Sequence, residues 1–338
     1  MSELRQDIIS GDWVILAPGR GKRPHFLDEK RKPRARTPKK LCPFENLEAS
    51  HNAPIMLFPE GSTVREENWK IALIHNKYPA LDHPQYAGHS IPLRHGIYRG
   101  RTGIGEHWLI VTKDHDKNLA ALDEKNAVAV FRVFQESHHI MEKEGWVAYA
   151  SSFFNWGPLA GASVWHPHYQ VLALPIIPSH IARSLRGAKM YFDEHGRCGR
   201  CDIVKAEHKE KKRVIVENEH AIAFTPYASK KPFEVMILPK KHSSHFRKAS
   251  PVVIEAVVSL VQSVMRRFEK NVNDPDMNVF IHDAPLGNKN YDYHHWHIEV
   301  MPKISTPAGF ELSTGIDINS TDPEEAAKIL RGKKPAHA

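Results

Sequence analysis

Cysteine is scarce: three in 338 residues cannot build a disulfide framework, and a chain of this length buries an adequate core without one. No apolar run approaches the roughly eighteen residues of a membrane span. The first stretch, "MSELRQDIISGDW", lacks a basic segment followed by an apolar one, so a secretory signal is not expected and a cytoplasmic location is. An excess of one charge is also missing from most of the chain. The net charge is +8, yet residues 20 to 40 alone hold ten Lys or Arg against two acids, leaving 37 of each sign elsewhere. That run reads as a solvated loop or as an electrostatic guide for a phosphate-bearing ligand. Aromatics are not interleaved with it, which argues against a nucleic-acid-binding module. What remains is a soluble globular composition, 41% hydrophobic and 25% charged.

What the chain does have is a repeated unit. Ala127, Val130, Phe131, Phe134 and Met141 fall on one face of a helix predicted from about Asp123 to Glu144, with Gly145 as its stop. A second helix follows Ser250 as N-cap and Pro251 at the first position, with Val253, Val257, Leu260, Val264 and Phe268 at helical spacing. Each is preceded by an apolar strand and a basic, histidine-bearing turn ("EHWLIVTKDHDKNL", "PFEVMILPKKHSSHF") and followed by an aromatic strand ("SSFFNWGP", "NVFIHDAP"). His115 to His242 and Asn155 to His282 are both offset by 127, and His166 to His295 by 129. The offset from Cys42 to Cys198 is 156, which requires an insertion in the first copy; "DHPQYAGHSIPLRHGIYRGRTG" reads as that long loop. The expectation is an α+β fold of two fused units, each a mostly antiparallel sheet with one main helix. The first spans residues 1–180 and the second 181–338.

The first unit carries "SVWHPHYQVLAL". On a strand, His166, His168 and Gln170 share one side while Pro167 and Tyr169 take the other. Two aligned histidines on an apolar element break the local pattern, as functional sites do. The repeat also aligns two sets of four soft ligands: Cys198, Cys201, His242 and His295, and Cys42, Glu45, His115 and His166. Thiolate and imidazole in fours suit structural tetrahedral zinc, one or two ions in all, with Glu45 standing where a second cysteine would make the first set firmer. Unligated thiols and histidines are the plain alternative. If His166 is a ligand, His168 is free to act as a nucleophile toward phosphorus, with Gln170 bonding a non-bridging oxygen. The second unit's counterparts are His297 and Glu299, where a carboxylate would repel a phosphate, so the first unit is the reactive copy.

These motifs, together with "SGDWVILAPGRGKRP", "CPFE", "HNKYPAL", "FNWGPLAGASVWHPHYQ" and "GFELSTGIDINSTDPEEAAKILR", resemble the galactose-1-phosphate uridylyltransferase family of the histidine-triad superfamily along nearly the whole chain. The resemblance implies a ping-pong nucleotidyl transfer in carbohydrate (galactose) metabolism, with His168 and Gln170 catalytic. It implies Ser163 on the transferred phosphate, Asn155, Gly161 and Ala162 shaping the pocket, and Arg20 and Arg23 facing phosphate. It further implies Asn76 on the nucleotide, of a type that can reach across a homodimer, and Phe310 and Glu311 on the hexose. The sequence departs from the family at Lys77, where Asp is usual, at Phe310, where Tyr is, and at Glu45. A further metal site of some members is represented by His282 alone, Ser184, Glu299 and Met301 occupying its other positions. "HNKYPAL", the cysteine pair and "GFELSTG" are closer to the branch that includes ADP-glucose phosphorylase. The leading reading is a UDP-glucose:hexose-1-phosphate uridylyltransferase type. The alternatives are a phosphorylase that uses inorganic phosphate on a nucleotide sugar or dinucleoside polyphosphate, and a zinc-stabilised nucleic-acid-binding module.

Overall fold

Period-two alternation produces most of the architecture. The computed structural model describes residues 1–22, 33–48, 53–66, 68–84, 91–287 and 289–333, with the backbone alone at residues 21 and 22. In chain order the strands are β1 (Glu3–Gln6), β2 (Trp13–Leu16), β3 (Pro54–Phe58), β4 (Ile71–His75), β5 (Pro92–His95), β6 (Tyr98–Arg101), β7 (Glu106–Thr112), β8 (Tyr149–Trp156) and β9 (His168–Leu174). They continue with β10 (Val214–Glu217), β11 (Ala221–Phe224), β12 (Val235–Pro239), β13 (Met277–His282), β14 (His297–Pro302) and β15 (Asp317–Asn319). The α-helices are α1 (Glu124–Lys143), α2 (Ser179–His195), α3 (Gly199–Glu210), α4 (Pro251–Asn271), α5 (Gly309–Thr314) and α6 (Pro323–Leu330). Among the described residues no helix is long and apolar enough to cross a membrane.

Ten strands form one sheet in the order β10-β11-β12-β14-β13-β8-β9-β7-β4-β3. Every neighbouring pair is antiparallel. Reading outward from the centre, β8-β9-β7-β4-β3 and β13-β14-β12-β11-β10 follow the same pattern of chain order. The two half-sheets meet where β8 pairs with β13, Asn155 standing opposite Asn278. The chain is thus α+β.

Helices α1 and α4 lie on one face of this sheet and pack on each other. The Asp123 side chain accepts the Asn126 N–H at the start of α1, and Ser250 with Pro251 opens α4. Their apolar stripes meet Tyr169, Val171 and Ala173 from β9, Trp108 and Ile110 from β7, and Ile298 and Val300 from β14 in the main core. Because side chains alternate across a strand, the residues between these point to the other face: His168 and Gln170, His107, His297 and Glu299.

Three features differ from the sequence-based expectation. The strand begins at His168, so His166 lies just before it rather than on it. Pro167, which has no N–H for a ladder, stands at that boundary. The predicted long loop at 82–103 contains the β5–β6 hairpin, residues 85–90 lying outside the described residues. Helices α2 and α3, absent from the sequence reading, cover the second half-sheet opposite α4, together with the β1–β2 hairpin.

Candidate active site

The His168 imidazole is buried, and its Nδ1 lies 3.0 Å from the backbone carbonyl of His166. A carbonyl only accepts, so Nδ1 carries the proton and Nε2 keeps its lone pair. Burial is the largest influence on this ring and holds it below its ordinary range, so it is neutral near pH 7. Gln170, two places on, has its Oε1 2.9 Å from His107 Nε2. The Ala80 backbone N–H donates to His107 Nδ1 at 3.2 Å, which assigns the His107 proton to Nε2 and makes Gln170 Oε1 the acceptor. The Gln170 amide N–H groups are left as donors on the face that His168 occupies.

Sequence reasoning missed His107. Its signal, a polar residue at the start of a mostly apolar β7, is faint, and the partner that gives it meaning is 63 positions away. Asn76 is drawn into the same group, its Nδ2 3.3 Å from His107 Nδ1.

Cys42, Glu45, His115 and His166 converge, with one ligand atom from each within 4.8 Å of the others. Both imidazoles turn Nδ1 inward: His115 Nδ1 is 2.7 Å from Glu45 Oε1, and His166 Nδ1 is 3.5 Å from Cys42 Sγ. Their outer nitrogens donate to backbone carbonyls, His115 Nε2 to Thr37 at 2.8 Å and His166 Nε2 to Thr112 at 2.7 Å. This donor set fits a divalent metal, since a carbonyl on the far nitrogen is the usual way of fixing a ligating imidazole. Phe44, inside the same turn, packs its ring 5.3 Å from that of His168. The cluster therefore touches the His168 ring through Phe44 and through the His166 backbone.

Cys198, Cys201, His242 and His295 converge in the same way. Cys201 Sγ lies 3.3 Å from His242 Nδ1 and 3.5 Å from His295 Nδ1. Cys198 is the N-cap residue of α3, so the CxxC turn and the helix start are one piece of backbone. The Cys198 thiol is held well below its ordinary range, first by the Cys201 hydrogen bond and then, against burial, by His242 and His295. This set of two thiols and two imidazoles fits tetrahedral zinc.

The loop from β8 to His166 is braced by the second half of the chain. Asn278 Nδ2 donates to Asn155 Oδ1 and to the Ala160 carbonyl, both at 2.8 Å. Asp276 Oδ2 accepts the Leu159 N–H at 2.7 Å. Gly157 has φ 87° and a Cβ there would lie 2.2 Å from Asp276, so no larger residue fits. Gly161 also has positive φ, followed by Ala162 and the exposed Ser163. The basic stretch contributes here as well: Arg34 bonds Asp276 Oδ1 at 2.8 Å and lies 5.0 Å over the Trp156 ring. Within the described part of that stretch, Arg34 is docked on the sheet while Arg36, Lys39 and Lys40 are exposed.

Other expected residues lie elsewhere. Arg23 is outside the described residues. Arg20 is exposed and approaches Glu311, whose carboxylate accepts the Ala308 N–H at 3.0 Å and so backs the start of its own helix. Phe310 is exposed on the same α5. Lys231 also acts on Glu311, which places this group beside the second half-sheet.

In that half His297 repeats the geometry of His168, its Nδ1 3.0 Å from the His295 carbonyl. Its Nε2, however, is 3.6 Å from Glu299 Oε1, where the first half has a neutral amide. His282 stacks on His297 at 4.6 Å and its Nε2 is 3.4 Å from Glu299 Oε1. The sequence reading counted His282 as an isolated survivor of a further metal site; the structure gives it both His297 and Glu299 as neighbours. A cavity of about 520 Å³ opens in front of this trio. A further group, His75, His83 and Glu106, lies at the end of β4.

Comparison with known proteins agrees with this geometry. Residues 184–327 match the family model of the galactose-1-phosphate uridyl transferase C-terminal domain, and residues 102–186 that of the Ap4A phosphorylase N-terminal domain. ADP-glucose phosphorylase of Arabidopsis thaliana is 34% identical over 334 residues, covering 97% of this chain and 92% of that protein. Galactose-1-phosphate uridylyltransferase of Thermotoga maritima is 26% identical over 343 residues, covering 98% of each. The crystal structure of the Arabidopsis thaliana ADP-glucose phosphorylase with bound ADP-glucose gives a TM-score of 0.84 at 31% identity, covering 99% of both chains. Similarity over nearly the whole chain to these proteins makes it an enzyme of the nucleotidyl-transferase type, a member of the galactose-1-phosphate uridylyltransferase and ADP-glucose phosphorylase family.

Proposed function

We propose that this enzyme moves the nucleoside monophosphate of a nucleotide sugar to inorganic phosphate through a covalent intermediate on His168, as an ADP-glucose phosphorylase does. The tautomer of His168 carries the reading. Nε2 attacks the α-phosphorus in line, the P–O bond to the hexose phosphate breaks, and sugar 1-phosphate leaves. The ring becomes cationic while its Nδ1–H stays on the His166 carbonyl. Gln170, oriented by His107, donates to a non-bridging oxygen; Ser163, Arg20 and Arg23 are the other proposed phosphate contacts. Phosphate then attacks the nucleotidyl-histidine from the vacated side, releasing nucleoside diphosphate and neutral His168. Asn76 is the proposed nucleotide contact, and Phe310 with Glu311 the proposed hexose contacts. The preference for phosphate rests on the 34% identity to the Arabidopsis phosphorylase, against 26% to the Thermotoga uridylyltransferase.

That second relative, matched over 98% of this chain, supports the other reading, in which a hexose 1-phosphate is the acceptor and uridylate is transferred. Two zinc ions, one in each four-residue cluster, belong to the proposal as structural ties with no part in the chemistry. So do the division of the chain near residue 180 and a homodimer.

The test is mass spectrometry of the enzyme after incubation with ADP-glucose or UDP-glucose. The expected result is an adenylylated His168 peptide that is discharged by phosphate to give ADP. A fully active His168→Ala variant overturns the mechanism. Discharge by galactose 1-phosphate, and not by phosphate, overturns the acceptor.

A further inference from the structure

A cavity of about 520 Å³ opens on the second half-sheet, and its lining includes none of His168, Gln170 or His107. Its walls come from the β1–β2 hairpin, α2, α3 and strands β11 to β14. Arg200 on α3 lines it, is 6% exposed, and has no hydrogen-bond partner for Nε or Nη1. Its one bond, from Nη2 to Ser184 Oγ, is a long 3.4 Å. Asp7, Cys198 and Glu299 act on this guanidinium through space without bonding it. A buried cation with unfilled N–H donors is costly, and an acid group fitted to the fork removes that cost.

A second unfilled atom lies two helical turns along. Glu207 also lines the cavity; one carboxylate oxygen accepts from Arg213 Nε at 2.9 Å, while Oε2 is buried without a partner. Seven residues of α-helix separate Arg200 from Glu207, about 10 Å along the axis. Between them Ile203, Phe224 and Met236 give the cavity an apolar side. One end asks for an acid, the other for a hydrogen-bond donor, and the middle for a flat or apolar body.

We infer that this cavity is a binding site for a small organic acid, a phosphomonoester or a carboxylate, about 10 Å long and carrying an N–H or O–H donor at its far end. The acid sits on Arg200 and the donor on Glu207 Oε2. The site is non-reactive, since the nearest imidazole equivalent to the nucleophile, His297, has Glu299 against its Nε2. It stands apart from the His168 chemistry, and the two readings fail independently.

Met236 and Met301 both line the cavity and report on it without reference to the first half. The experiment is a titration of the full-length protein, labelled with ¹³C at the methionine methyls and followed by NMR. AMP is the phosphomonoester, 4-aminohippurate the carboxylate, and adenosine the control lacking an acid. The expected result is saturable movement of the Met236 and Met301 signals with AMP or with 4-aminohippurate, the responding arm naming the acid, and no movement with adenosine. Arg200→Gln weakens the effect by about tenfold or more, as loss of a charged hydrogen-bond donor does. Arg200 lies between two clustered cysteines, so a second variant is needed: Ala206→Trp fills the cavity from α3, leaves Arg200 in place, and abolishes the response. Silence of both methionines with both acids overturns the inference. So does an equal response to adenosine, or an undiminished response in Ala206→Trp.

Discussion

Ala80 and His107 illustrate how the proposed catalytic face of His168 and Gln170 is set by groups with no proposed contact to substrate. The Ala80 N–H fixes the His107 tautomer, and His107 in turn fixes which end of the Gln170 amide faces outward. His107→Phe leaves that amide free to rotate. The expected outcome is a fall in kcat of about ten- to a hundredfold with a smaller change in KM, the signature of a lost transition-state donor. An unchanged kcat would show that Gln170 needs no such support. Asn278 acts on the loop in a comparable way: Asn278→Leu removes two bonds and leaves the Asn155 and Ala160 oxygens unfilled, with an expected loss of about 1–3 kcal/mol of stability by denaturant titration. The placement of His168 and Gln170 on one face was legible because alternation along a strand is visible in the sequence. The His166 carbonyl, His107 and Asn278 were not, because each acts through the backbone or through a partner distant in the chain.

At the scale of elements, α1 and α4 could be read in advance because each buries a long apolar stripe. Helix α2 does carry Ile181, Leu185, Ala188 and Phe192 at helical spacing, a weaker signal that the sequence reading passed over. Helix α3 buries the charged Arg200 and Glu207 and shows no apolar period. The CxxC turn that starts α3 was visible, and it carries a prediction. Metal analysis of the purified protein is expected to find two zinc ions per chain. Cys201→Ser should lose one and Cys42→Ser the other, each with a drop of several degrees in Tm of order set by about 1–2 kcal/mol. A protein that purifies without zinc and melts unchanged in both variants would count against structural metal. At β10, Glu217 accepts from Lys211 Nζ at 2.7 Å and His208 Nδ1 at 2.7 Å and pairs with Lys240 Nζ at 2.8 Å. Burial works against the carboxylate, yet these bonds hold it down to about 2 from 4.5. A lowered carboxyl stabilises the fold above its unfolded value and loses that contribution as pH falls from about 4.5 to about 2. Glu217→Gln should therefore cost no more than about 1 kcal/mol at pH 7, solvent screening being strong at this site, and the gap from the unsubstituted protein should close across that acid range.

The ten-stranded sheet that spans the molecule is continuous and made of two like halves. The offsets of 127 and 129 between landmarks announced the likeness. What they did not announce is that β8 and β13 pair directly, so that each half completes the other's edge. Residues 1–176 and 177–338 produced separately are each expected to expose a long unpaired strand and to aggregate, and to recover a soluble complex when produced together. Two monodisperse, independently folded halves would disprove this. Across the seam, Asp276 and Asn278 of the second half hold the loop that leads into His168.

Both long helices shield one side of the sheet, and His168 looks out from the other. A chemist wishing to fix this catalyst to a solid support has an obvious point of attachment. Glu136 is exposed on α1, and a cysteine introduced there (Glu136→Cys) and coupled to a bead would leave the reactive side turned to the bulk liquid.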